Sequence, residues 1–133
     1  MNNLSENSPF IVTEYAVYSK KNSIVYITFK KNLILNLDTA KKIVRDRLKF
    51  QADTTYPVIC DVTAIRSIDE NARMYLASIG SHQLTAVALV SLTPTLYEMG
   101  TYYKEFDTPK SPTEVFSSIE AAEEYMNGLT RKP

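Results

Sequence analysis

The sequence predicts a single α/β domain, in which a mixed sheet of four to six strands includes an N-terminal β-hairpin and about four helices accompany it. Residues 58–62 and 85–91 are apolar at nearly every position, which is typical of strands buried on both faces in the middle of a covered sheet. Strand-like and helix-like segments alternate along the rest of the chain, as crossover connections between parallel strands require. The length of 133 residues fits one ordinary domain.

The N-terminal part of the domain has the pattern of a hairpin. Residues 10–18 and 23–29 are rich in β-branched and aromatic side chains and are separated by a polar turn at 19–22. A third short strand is expected at 33–36. Residues 1–9 are polar and are expected to be disordered or extended, so the predicted domain covers residues 10–129 and leaves a C-terminal tail at 130–133.

Two helices are predicted in the first two thirds of the chain from apolar side chains at helical spacing. The first covers residues 39–50 and has Asp38 as its N-cap. The second follows Ser67 and Glu70, which have the spacing of a capping box, and ends at Gly80.

Two further helices are predicted toward the C-terminus. Pro94 suits the first turn of the third helix, and residues 114–116 form a short strand-like segment after it. Ser117 and Glu120 repeat the capping-box spacing. They predict a final amphipathic helix that frays beyond Gly128.

The charge balance excludes two classes of partner. Lys and Arg together number 15, as do Asp and Glu, and no basic run is longer than two residues. Binding to nucleic acid or to an anionic membrane surface needs a concentrated basic face, so neither is expected. A neutral chain with a pI near 6.6 has little charge repulsion between copies, which favours self-association.

The single cysteine, Cys60, lies in an apolar run and is expected to be a core residue. One cysteine cannot form an intramolecular disulfide. The sequence also shows no secretory signal and no apolar stretch long enough to span a membrane. These features predict a cytoplasmic location.

The residue types that catalysis and metal binding need are scarce. His82 is the only histidine and is expected on the surface after a helix end, and three glycines are too few for a phosphate-binding loop. The sequence therefore predicts no enzymatic activity, no metal site and no cofactor. For the adjacent carboxylates Asp69 and Glu70, two interpretations stay open: an acid–base or cation-binding pair, and a cap at a helix N-terminus.

Tyrosine is abundant, with nine residues, and two of them, Tyr97 and Tyr102, fall off the apolar stripe of the third predicted helix. Exposed aromatic side chains are common in protein interfaces because each buries a large area at low entropic cost. The alternative is packing at the edge of the core with the hydroxyl group in water.

The segment 60–72 carries a resemblance to a known family. A strand ends in Asp61-Val62-Thr63, Ile65 follows, and Ile68-Asp69 opens a helix. This pattern resembles the signature of STAS domains, the anti-sigma-factor antagonist family. The order of predicted elements from residue 11 to 128 is also similar to the SpoIIAA-like fold of small uncharacterised bacterial proteins. The resemblance implies that fold and a regulatory role exerted by binding a protein partner.

The segment departs from the family pattern at one position that bears on regulation. The phosphorylatable Ser of the family lies directly after the second Asp, and here that position is Glu70. Ala64, Asn71 and Ala72 replace further signature residues. The resemblance therefore implies a module in which a carboxylate occupies the phosphate-accepting position.

Our sequence-based hypothesis is a non-catalytic module that docks a kinase-like or regulatory protein through a loop at residues 63–71 and the start of the second helix. The predicted contact residues are Thr63, Arg66, Ser67, Asp69, Glu70, Asn71, Tyr97 and Tyr102. The alternative hypothesis is a carrier of a small apolar ligand or lipid, because the strands are rich in aromatic residues and the third helix carries Tyr and Met. A homodimer is also predicted, formed through the hairpin or its neighbouring helix.

Overall fold

A computed structural model describes the backbone of residues 9–131 and the side chains of residues 9–129. The strands are β1 Phe10–Val12, β2 Ala16–Lys21, β3 Ile24–Phe29, β4 Leu33–Leu35, β5 Tyr56–Asp61, β6 Ile65–Ile68, β7 Leu84–Val90 and β8 Thr113–Phe116. The helices are α1 Leu37–Gln51, α2 Glu70–Ala77, α3 Pro94–Phe106 and α4 Ile119–Arg131, with a 3₁₀ turn at Ile79–Ser81. Residues 1–8 of the predicted disordered segment, and 132–133 of the predicted tail, lie outside the described residues.

The main sheet has six strands in the order β1-β2-β3-β5-β7-β8. The first three are antiparallel, and β3, β5, β7 and β8 run parallel to one another. Strands β5 and β7 each have a neighbour on both sides, as their apolar sequences predicted. The predicted mixed α/β sheet with its N-terminal hairpin is therefore confirmed.

The hairpin differs from its prediction at two points: the first predicted strand is divided by a turn, and the turn before β3 is shorter. The expected first strand breaks at Thr13, whose Oγ1 accepts hydrogen bonds from the amides of Tyr15 and Ala16, both at 3.3 Å. The chain reverses there, so β1 lies antiparallel beside β2. The turn between β2 and β3 contains only Asn22 and Ser23, both with φ above +50°, which is the geometry of a tight hairpin whose twist matches the strands.

The predicted third strand exists as β4 but does not join the main sheet. It pairs in parallel with β6, a strand that the sequence analysis assigned to a loop. Ile34 lies opposite Ser67 and Leu35 opposite Ile68. The two short strands form a separate ribbon. In this ribbon Leu33 and Leu35 are buried toward the core, while Ile34 faces outward.

The N-cap of α2 is Asp69, so the predicted capping box at Ser67 is wrong. The carboxylate Oδ1 of Asp69 accepts a hydrogen bond from the amide of Ala72 at 2.8 Å. Ser67 cannot act as the cap because its backbone is paired with β4. The helix also ends at Ala77 rather than Gly80, which is buried where an added Cβ would lie 3.2 Å from Val44 Cγ2.

Two other predicted caps shift by one or two residues. Asn36, not Asp38, begins α1: its Oδ1 accepts from the amide of Thr39 at 2.9 Å. Ser118, not Ser117, begins α4: its Oγ accepts from the amide of Ala121 at 3.1 Å. The predicted role of Pro94 in the first turn of α3 is confirmed.

The two faces of the sheet carry separate apolar clusters. On one face, α1 and α2 cover Val25, Ile27 and Val58. On the other, α4 packs Ala122 and Met126 against the remaining strand residues, which are Ile24, Ile59, Ala86, Ala88 and Val90. Helix α3 lies over Leu89 on the α1 and α2 face. The central strands β5 and β7 are therefore covered by helices on both faces.

Candidate protein-docking surface

The loops that follow β5 and β7 meet at one edge of the sheet because these strands are parallel. The amide of Thr63 donates to Asp61 Oδ1 at 3.0 Å, which closes a local turn. Thr63 Oγ1 in turn accepts a hydrogen bond from the amide of Leu92 at 3.3 Å. Thr63 therefore joins the two loops, and this contact leaves its side chain half-buried.

Arg66 and Ser67 lie on β6 and are both exposed. The register with β4 shifts between Leu33 and Ile34, and Arg66 falls at that irregularity. Next to Ser67, the side chain of Ile34 is 56% exposed. This ribbon presents a cation, a hydroxyl group and an apolar side chain outward, whereas the sequence analysis expected a loop here.

The first turn of α2 faces outward. Asp69, Glu70 and Asn71 are all exposed, and one turn further Met74 is 56% exposed. The hydrogen bond from Ala72 gives Asp69 the capping role, one of the two interpretations left open by the sequence. Glu70 is an acidic residue in the first turn, where the partial positive charge of the helix N-terminus favours a carboxylate.

Arg73 was missed by the sequence analysis, and it links α2 to α3. Its Nε donates to Asp107 Oδ2 at 2.9 Å, and its Nη1 donates to the carbonyl of Ile68 at 3.4 Å. Its guanidinium also lies 5.3 Å from the ring centroid of Tyr102. Asp107 is 34 positions away in sequence, so spacing along a helix could not have revealed the pair.

The exposed aromatic residues of α3 occupy two places. Tyr102 stacks on Phe106 with ring centroids 4.7 Å apart, beside Arg73 and therefore beside α2. Phe106 is the last residue of α3 and is 68% exposed. Tyr97 lies nearer the helix start and lines a shallow depression with Leu92. The structure thus brings Tyr102 to the start of α2 and leaves Tyr97 at the Leu92 loop.

Cys60 and His82 have side chains of the types that nucleophilic catalysis or metal binding can use. Cys60 packs in the central strand, and burial raises the pKa of its thiol to about 12, which opposes a nucleophilic role. His82 is exposed, as predicted. Within residues 9–129, no group of three His, Cys, Asp or Glu side chains is placed to hold a metal ion.

Together, the fold and this surface define a mixed α/β domain with an exposed strand-to-helix segment at one edge of the sheet. The chain belongs to the family described as Domain of unknown function (DUF7793), whose model matches residues 18–130. No curated protein sequence matches the chain.

Solved structures show the same fold. A protein of the DUF3478 family from Shewanella loihica PV-4, described as uncharacterised and SpoIIAA-like, has a TM-score of 0.57 and 10% identity, covering 90% of this chain and 91% of its own. A serine-to-glutamate variant of RsbS from Moorella thermoacetica has a TM-score of 0.59 and 14% identity, covering 96% and 100%. These likenesses confirm the predicted fold class.

The remaining predictions concern membrane-spanning helices, cellular location and enzymatic activity. Among the helices of residues 9–131, none is long and apolar enough to cross a bilayer. The predicted cytoplasmic location stays a prediction, as does the predicted absence of enzymatic activity.

Proposed function

We propose that this protein is a non-catalytic regulatory module that docks a protein partner through the outward face of β6 and the first turn of α2. The observation that carries the proposal is that Arg66, Ser67, Glu70 and Asn71 are all exposed on one continuous segment. RsbS, the anti-sigma antagonist whose structure is similar, supports a regulatory role of this kind.

The surroundings of the segment suit a protein interface. Ile34, Met74, Tyr102 and Phe106 are each between 48% and 68% exposed. Monomeric proteins rarely gather large exposed apolar side chains in one region, and aromatic residues with a polar rim are frequent at interfaces. The partner would present apolar side chains to these residues and polar groups to Arg66 and Glu70.

In this proposal Glu70 supplies a fixed negative charge where related modules have a phosphorylatable serine. An exposed carboxylate in the first turn of α2 resembles a phosphate group in charge sign and in position relative to the helix N-terminus. A partner that recognises the charge would then bind this chain without a kinase step. Glu70→Gln removes the charge at nearly constant shape and is expected to weaken such binding, whereas Glu70→Asp is expected to retain it.

The test is affinity capture with four forms of the protein: wild type, Glu70→Lys, Asn71→Arg and Glu124→Lys. Glu124 is exposed on α4, which covers the opposite face of the sheet, so its reversal is the matched control. We expect at least one protein to be recovered with wild type and Glu124→Lys and lost with both surface variants. Equal recovery of every protein by all four forms would exclude this surface.

We also propose that two copies pair through β1. Phe10, Ile11 and Val12 are 49%, 38% and 59% exposed, and β1 is at the edge of the sheet with β2 on one side. An apolar edge strand has backbone groups free to pair with another strand. We expect light scattering to show twice the monomer mass of 15.1 kDa for wild type, and the monomer mass for Val12→Pro, which removes an amide that points away from β2. A monomer at high concentration of wild type would refute this dimer.

A further inference from the structure

A cavity of about 130 Å³ lies between the main sheet and the helices α1, α2 and α3. Val58 of β5 and Val87 and Leu89 of β7 form its floor. Met99 and Tyr103 of α3 face them from above. Nearly all the atoms that line the cavity are apolar, so water inside it would find few hydrogen-bond partners.

The cavity lies over the centre of the sheet because α3 packs mainly against the edge strand β8. Of its thirteen residues, all in the described part of the chain, Gly100 is the one that is fully buried. The absence of a Cβ lets the helix approach β8, where an added Cβ would lie 3.2 Å from Val115 Cγ1. The helix thus packs against the edge strand and is tied to α2 by Arg73 and Asp107, which leaves the space over β5 and β7 open.

The partial exposure of side chains on the central strands supports a space between the sheet and its covering helices. Val87, Leu89 and Cys60 retain accessible surface although strands flank them on both sides and helices cover both faces. These side chains therefore face the space between the sheet and the helices, and its apolar lining offers water few hydrogen-bond partners.

We propose that this cavity is a binding site for one small, uncharged apolar molecule of about the size of a single hydrocarbon ring. A lined apolar cavity of about 150 Å³ is known to stay dry and to accept benzene or xenon, which sets the scale for the present one. Binding would replace empty space by dispersion contacts with the floor and with α3. The Met and Tyr residues of α3 thereby gain a role distinct from that of the exposed tyrosines.

The two cations near the cavity explain why the ligand is uncharged. Arg47 donates to Gln51 Oε1 at 2.6 Å and to the carbonyls of Gly80 and His82, both at 3.0 Å. Arg73 is paired with Asp107. A carboxylate that entered the cavity would lose its hydration, and to pair with either guanidinium it would have to compete with these hydrogen bonds and with Asp107.

Titration of the methyl-labelled protein with benzene, followed by NMR and by thermal melting, tests the site. We expect saturable shifts of the methyl signals of Val87 and Leu89 and a rise of the melting temperature with benzene concentration. Benzoate is expected to produce neither effect. Unmoved methyl signals near the solubility limit of benzene, or tighter binding of benzoate, would overturn the proposal.

Val87→Phe fills the cavity and is expected to weaken benzene binding by at least about tenfold. Thr85→Phe is the matched control, since Thr85 is an exposed residue of the same strand, and it is expected to bind as wild type does. If circular dichroism shows that Val87→Phe does not fold, Val87→Leu is measured instead and is expected to weaken binding by a few-fold. Equal affinity of the cavity variant and the control would contradict the assignment.

Discussion

Arg47 shows how a single buried cation can hold separate segments together. It is 3% exposed, and its hydrogen bonds go to Gln51 of its own helix and to the carbonyls of Gly80 and His82 in the 3₁₀ turn region. Burial lowers the pKa of Arg47, since the charged form loses its hydration. These bonds attach α1 to the segment that leads into β7.

Replacement of Arg47 by Ala is expected to destabilise the fold by at least about 2 kcal/mol, because the buried carbonyls and the Gln51 amide lose their donors. Arg45→Ala is the control on the same helix: Arg45 is exposed and bonds only its neighbour Asp46, so a change within about 0.5 kcal/mol is expected. Urea unfolding measures both. A similar loss in the two variants would show that the buried bonds contribute nothing.

A second prediction at the residue scale concerns the cap of α2. Asp69→Ala removes the acceptor of the Ala72 amide and is expected to cost about 1 kcal/mol, while Asp69→Asn should retain most of the stability. Ser67→Ala is the control because Ser67 is exposed on β6 and does not cap the helix. If urea unfolding shows a greater loss for Ser67→Ala than for Asp69→Ala, the assignment of the cap is wrong.

At the scale of the elements, two ion pairs attach α3 to its neighbours, and they differ in solvent exposure. The side chains of Arg73 and Asp107 are 17% and 9% exposed, whereas those of Lys104 and Glu114 are 40% and 43% exposed. A double-mutant cycle on Arg73 and Asp107 is expected to give a coupling of about 1–2 kcal/mol. The cycle on Lys104 and Glu114 should stay below about 1 kcal/mol, and the reverse order would refute this account.

The errors of the sequence-based predictions at this scale have a common cause. Asn36 and Asp38, like Ser67 and Asp69, are all competent N-cap residues, so local pattern could not choose between them. The choice is made by where β4 and β6 end, and these strands pair with each other across some thirty residues of intervening chain. The position of the first turn of α2, and hence of Glu70 on the proposed surface, follows from that pairing.

At the scale of the whole molecule, the fold could be predicted because burial on both faces leaves a clear sequence pattern. The apolar runs of β5 and β7 identified the centre of the sheet. The candidate surface was predictable as far as it lies on one continuous segment, 63–71. The contact of Arg73 with Asp107 and the cavity under α3 were not, because both depend on how separate elements pack, which no local pattern encodes.

The stability of the whole domain is expected to fall in alkali. Burial raises the pKa of Cys60 from 9.0 to about 12 and also raises the pKa values of Tyr18, Tyr26 and Tyr103 above their ordinary value of 10.0. Glu123, which accepts a hydrogen bond from the Tyr26 hydroxyl at 2.5 Å, adds to that shift. Each group holds its proton more tightly in the folded state than in the unfolded state.

Their contribution to stability is therefore complete below about pH 9 and is lost as the pH rises toward the folded-state pKa values, since the unfolded chain then releases protons that the folded chain retains. The free energy of unfolding, measured by urea denaturation, should be nearly constant from about pH 7 to 8.5 and should fall steeply above about pH 9. Cys60→Ala should lower stability at neutral pH but reduce the slope above pH 9, because the variant has no thiol to ionise. A wild-type stability that stays level to about pH 11, or an unchanged slope in Cys60→Ala, would contradict the burial of these groups in a closed interior.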